Sequence, residues 1–67
     1  MSDTLPVHRT RADQVRNGDQ IELPEDGLCY MVIDAVLQFG LAKLTLDAAP
    51  WPLIRHFTPS AVLDVIR

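Results

Sequence analysis

The sequence predicts a small all-β domain of five or six short antiparallel strands. Three observations carry this. Apolar and polar residues alternate with period two in short runs such as Gln20-Ile21-Glu22-Leu23. Turn residues cut the chain at short intervals, at Asn17-Gly18, Pro24 to Gly27, Gly40, Pro50 to Pro52 and Pro59. The one long apolar stretch, 28–37, contains Tyr30, Val32, Ile33 and Val36, side chains that suit a pleated surface better than a helix.

Residues 5–10 alternate Leu5, Val7 and Arg9 with Pro6, His8 and Thr10, and read as a brief edge strand. Residues 11–15 are too few for a stable helix but enough for a single helical turn. Asn17-Gly18 then supplies the positive φ of a tight corner. Gln20 to Leu23 form the next strand, with Ile21 and Leu23 inward, and Pro24-Glu25-Asp26-Gly27 turns the chain back. The following strand runs from Leu28 to about Leu37 and is apolar on both faces, with Cys29, Met31, Ile33 and Ala35 on one and Leu28, Tyr30, Val32 and Val36 on the other, so it either bends into two sheets or offers one face to a second subunit. Asp34 interrupts it and marks a bend towards solvent or a pair with an arginine across such a contact. Gln38-Phe39-Gly40 is a turn, and Leu41 to Leu46 returns with Ala42, Leu44 and Leu46 on one side. The loop from Asp47 to Pro52 cannot be a central strand, because neither proline can donate to a ladder. Leu53 to Phe57 is a strand with Phe57 in the core, residues 58–61 form a second single helical turn, and Val62 to Arg67 closes the domain. The expected organisation is a flexible N-terminus at 1–4 and one domain at 5–67.

Sixty-seven residues make one domain near the lower edge of independent folding. Such chains are held by disulfides, a metal, self-association or unusually good packing. Cys29 is the only cysteine, which excludes an internal disulfide and fits a reducing cytoplasm. His8, Cys29 and His56 have no metal-ligand spacing, so no metal and no cofactor are expected. The 48% hydrophobic content is generous for so small a body and implies apolar surface that meets a partner. No apolar run reaches the ~18 residues of a membrane span. Five arginines against one lysine suit a GC-rich coding sequence.

A lead strand, then Ala12…Val15-Arg16-Asn17-Gly18-Asp19-Gln20-Ile21, then Gly27…Tyr30-Met31-Val32, resembles the opening of SH3-like barrels. Many of these use an A-x-x-L-x-x-G-D-x-I entry before a hairpin. A helical turn before the last strand, here at 58–61, is similar to theirs. The look is shared by small proteins of actinobacteria and their phages and, distantly, by the N-terminal barrel of translation elongation factor P. The resemblance implies an SH3-like barrel and, for a phage gene, a host-directed accessory protein. The elongation factor presents a modifiable basic residue at a loop tip, whereas the tip here is Gln38-Phe39-Gly40.

Two groups of residues are candidates for binding. Trp51 sits between two prolines and could anchor a protein partner or lid one end of the core, and Tyr30 and Phe39 could join it in a groove. His8, Arg9, Arg11 and Arg16 form a local basic cluster, in which Arg9, Arg11 and Arg16 could contact phosphate. A net charge of −3 opposes that use. Asp19, Glu22, Glu25 and Asp26 surround the first hairpin as solvated edge protection, and Cys29 is expected as a small buried hydrophobe. No nucleophile–base spacing, phosphate-cradling glycine loop or carboxylate–histidine cluster occurs, so catalysis is not expected. The expected function is protein–protein association, including self-association, with nucleic-acid binding through the arginines as the alternative.

Overall fold

The computed structural model describes residues 7–66. The expectations for residues 1–6 and for Arg67 lie outside them. The described chain is all-β, with strands β1 (Val7–Arg11), β2 (Gln20–Glu22), β3 (Cys29–Gln38), β4 (Leu41–Leu46), β5 (Leu53–Phe57) and β6 (Val62–Ile66). They form one antiparallel sheet in the order β1-β6-β2-β3-β4-β5. Among the described residues no ladder joins β1 to β5, so the curled sheet is not closed into a barrel. The strand boundaries fall within one or two residues of those the turn signals predict.

Of the two expected helical turns, the first is a short 3₁₀ segment, Ala12–Gln14. The second is one turn in which the Ala61 N–H donates to the Thr58 carbonyl at 2.9 Å. The two turns are tied together. Ala12 N–H donates to the Ala61 carbonyl at 2.7 Å and Asp13 N–H to the Pro59 carbonyl at 3.1 Å. Backbone groups that neither ladder satisfies thereby satisfy each other.

The core is built by strand parity. Ala42, Leu44 and Leu46 on β4, Leu63 and Val65 on β6, and Ile21 and Leu23 at β2 are buried on the inner face, with Ala12 and Val15 covering one side. Phe57, Leu53, Tyr30, Ala35 and Ala61 pack at its margin, which places Phe57 as the sequence suggests. Each fully buried valine, leucine or isoleucine contributes ~1.5–3 kcal/mol relative to exposure.

Strand β3 is where the sheet turns. Its first three residues pair with β2 (Ile21 opposite Tyr30), and residues from Val32 onward pair with β4. Between them the register shifts: Val32 faces Leu46, and Asp34 faces the next residue, Thr45, leaving Ile33 without an opposite number. One extra residue is a β-bulge, which bends the strand and strengthens its twist. It also resets parity, so that Val32 and Ala35, three positions apart, both point inward. This explains Asp34. The bulge carries it to the outer face, where it is exposed.

The glycine corner docks on the same point. Gly18 has φ +91°, a conformation that costs a side-chain-bearing residue about 1–2 kcal/mol. Arg16 N–H donates to the Asp19 carboxylate at 3.0 Å, and Asp19 N–H to the Arg16 carbonyl at 3.1 Å. Gly18 N–H then donates to the Val32 carbonyl, and Val32 N–H to the Asp19 carbonyl, both at 2.7 Å.

Deleting Ile33 should abolish cooperative unfolding in urea, because it turns one half of β3 inside out. Replacing Ile33 by alanine, which keeps the parity, should cost no more than about 1 kcal/mol. A deletion variant that melts like the parent would show that the bulge is dispensable.

Candidate functional site

The largest aromatic exposure lies at the β3–β4 hairpin. Its loop has two residues, Phe39 and Gly40, at φ +54° and +74°. Positive φ at both central positions is the geometry that matches strand twist in a two-residue hairpin, and Asn-Gly is its preferred sequence. Here phenylalanine takes the first position and is 92% exposed.

Phe39 borders the outer face of β3, β4 and β5. Ladder register sets out that face in rows: Gln38 beside Leu41; Val36, Lys43 and His56; then Asp34, Thr45 and Ile54. An open groove of about 350 Å³ runs across it, lined by Gln38, Phe39, Leu41, Lys43, Ile54 and His56. Val36, Leu41 and Ile54 are exposed on it. The inner-face alternation of β4 already implies that Leu41 and Lys43 point outward, whereas plain alternation along β3 puts Val36 on the face of Val32 and the bulge moves it to the outer one.

The other two aromatics expected to share a groove with Phe39 do not reach it. Trp51 is 78% exposed, in the loop at the opposite end of the β4–β5 hairpin, and does not lid the core. Six strand steps from Gln38 to Val32 separate the two ends, roughly 20 Å. Tyr30 stands at the start of β3, half-buried, and its hydroxyl donates to the Asp26 carboxylate at 2.7 Å.

That bond belongs to a polar clasp around the β2–β3 turn. Leu28 N–H donates to the other Asp26 oxygen at 2.9 Å, and the Arg55 guanidinium reaches across from β5 to make a bidentate pair with Glu25 at 2.7 and 3.0 Å. Arg55 also donates to the Ile54 carbonyl at 2.9 Å. The Arg55 hydrogen bond holds the Glu25 carboxyl below its ordinary 4.5. The Leu28 N–H, helped by Tyr30, holds Asp26 below its ordinary 3.8. Acceptance by Asp26 raises the Tyr30 hydroxyl.

The arginine cluster is divided. Arg9 and Arg16 line an open groove of about 690 Å³ with His8, Thr10 and Gln14, but Asp13 and Asp19 line it too. Arg11 is held in a bidentate pair with Asp13 at 2.9 and 3.2 Å, and Arg9 lies 3.9 Å from Asp64. Carboxylates thus accompany the guanidiniums wherever the fold brings them together. Cys29 is exposed, not buried, because it pairs with Glu22 on the outer face, opposite in parity to Tyr30. Among the described residues no group of three or more His, Cys, Asp or Glu side chains could hold a metal ion, and no helix is long and apolar enough to cross a membrane.

No family model, curated protein or solved structure matches this chain.

Two outcomes follow from the geometry. Because the folded state lowers the Glu25 and Asp26 values, the clasp stabilises fully above their ordinary range and its contribution is lost as pH falls through the lowered values, below about pH 4. The urea midpoint should fall over that range, and less steeply in Arg55→Ala, which removes the cation from Glu25; parallel profiles would remove the clasp from the acid response. At the hairpin, Phe39→Asn should raise stability by about 1 kcal/mol, since asparagine tolerates the left-handed conformation. Thermal melting reads that change, and a lower melting temperature would mean that Phe39 contributes packing in its own fold.

Proposed function

We propose that this chain is a non-enzymatic, cytoplasmic binding module that associates with protein through the outer face of β3, β4 and β5, with Phe39 as its anchor. One observation carries the reading. Phe39 combines a backbone conformation unfavourable to its side chain with nearly complete exposure of its ring, at a position where Asn or Gly would be unstrained. Strained non-glycine residues persist where something other than local stability retains them. Aromatic side chains concentrate at the centres of protein interfaces.

The groove beside Phe39 supports this use. It sets Leu41 and Ile54 beside the Phe39 ring, with Gln38, Lys43 and His56 completing the lining, a mixture of apolar contact and polar groups suited to a protein partner. Trp51, exposed at the far end of the same hairpin, is a second anchor for a partner long enough to span both. Tyr30 has its hydroxyl committed to Asp26 and supports the hairpin instead. Nucleic-acid binding through Arg9, Arg11 and Arg16 has less support, since Asp13, Asp19 and Asp64 share their surroundings.

A photo-reactive phenylalanine analogue at position 39, in the cells from which the gene comes, should give discrete protein adducts on irradiation. The same analogue at exposed Asn17 should not. Equal labelling from both positions, or none from position 39, would refute the reading.

A further inference from the structure

We infer that the occupant of the β3–β5 outer face is a second copy of this chain, related by a two-fold axis, with Asp34 of each copy facing Lys43 of the other. The inference rests on the reading of that face as a protein-binding surface and names its partner. Three observations support self-recognition.

The first is charge. Asp34 and Lys43 stand on the same face, on adjacent rows of β3 and β4, with Val36 between them in the register. Among the described residues neither has an ion-pair partner in its own chain. A patch carrying one acid and one base on adjacent rows, among Val36, Leu41 and Ile54 and the uncharged Gln38 and Thr45, is complementary to itself. A two-fold contact uses the same patch twice and forms the pair twice. The chain as a whole carries −3, so two copies repel at distance. On this face the charges of Asp34 and Lys43 cancel.

The second is the size of the core. Ten residues are buried among those described, all of them apolar, the largest being leucine and isoleucine. The sequence has one cysteine and the described residues hold no metal cluster, so neither usual staple of a small scaffold is present. Pairing of apolar faces is one that remains, beside close packing of the ten buried side chains. The third is the distribution of exposed apolar side chains. Val36, Phe39, Leu41 and Ile54 are all exposed on or beside this one face, and the groove between them gives a facing Phe39 ring somewhere to insert.

The test is a charge-reversal mixture. Sedimentation at tens of micromolar should find the parent protein as a dimer. Asp34→Lys alone and Lys43→Glu alone should each weaken dimerisation by about tenfold or more, because each sets like charges opposite one another twice. Mixed in equal amounts, the two variants should form a heterodimer, in which both pairs are again of opposite sign. Both positions lie on the outer face, and far-ultraviolet circular dichroism with thermal melting checks that each variant is folded. A strictly monomeric parent, or a dimer indifferent to both reversals, would overturn the inference. So would two monomeric variants that fail to pair. A monomeric parent whose position 39 still cross-links to another protein would overturn the second copy and leave the binding face standing, whereas loss of both signals would remove both.

Discussion

The fold depends on what happens at Val32 and Ile33. Val32 is the last residue of β3 bonded towards β2, through Gly18 and Asp19, and the first in register with β4. Ile33, the bulged residue, lets the strand change both direction and parity there. Without it the alternation that buries Tyr30 and Val32 would carry Asp34 inward, and burying an unpaired carboxylate is prohibitive for so small a core. With it Ala35 faces inward and Asp34 stays in water. One additional residue thus allows a single ten-residue strand to serve two halves of the sheet.

The rest of the molecule supports this bend from either side. On one side the Asn17-Gly18 corner clamps the Val32 backbone, while the 3₁₀ segment behind it is bonded to the turn before β6. On the other, Glu25 and Arg55 connect the β2–β3 turn to β5, thirty residues away in sequence. Among the described residues the sheet's two edges do not pair, and the Glu25–Arg55 pair ties the β2–β3 turn to edge strand β5 through side-chain charge. Exposed pairs of this kind contribute little each, so the hydrophobic inner face remains the main source of stability.

Much of this architecture was legible in the sequence. The strands followed from period-two patterns and turn residues, and the Ala42, Leu44, Leu46 face was read correctly because β4 is regular. Where reading stopped, the cause was the bulge. Neither Ile33 nor Asp34 announces a register shift, so plain alternation puts Val36 with Val32 and Ala35 with Cys29, and the bulge exchanges the two; Cys29, expected in the core, pairs with Glu22 outside. The site was legible only in part. Phe39, Tyr30 and Trp51 were recognisable as aromatics outside the regular core pattern, but their separation is set by hairpin register, which no count of residues along the chain supplies. Similarly, the spacing of Arg9, Arg11 and Arg16 suggested a basic patch, and it was folding that set Asp64 and Asp19 beside them.

The open sheet has one more consequence. A sheet whose two edge strands are unpaired among the described residues, and which exposes apolar side chains, is an invitation to endless strand-by-strand growth into fibres. Here each edge is blunted. β5 is five residues long and bracketed by Pro52 and Pro59, and β1, equally short, carries Arg9 and Arg11. Lateral extension is therefore frustrated at both ends, while the broad face of the sheet remains open to contact. A molecule built this way favours assemblies that terminate over polymers that do not.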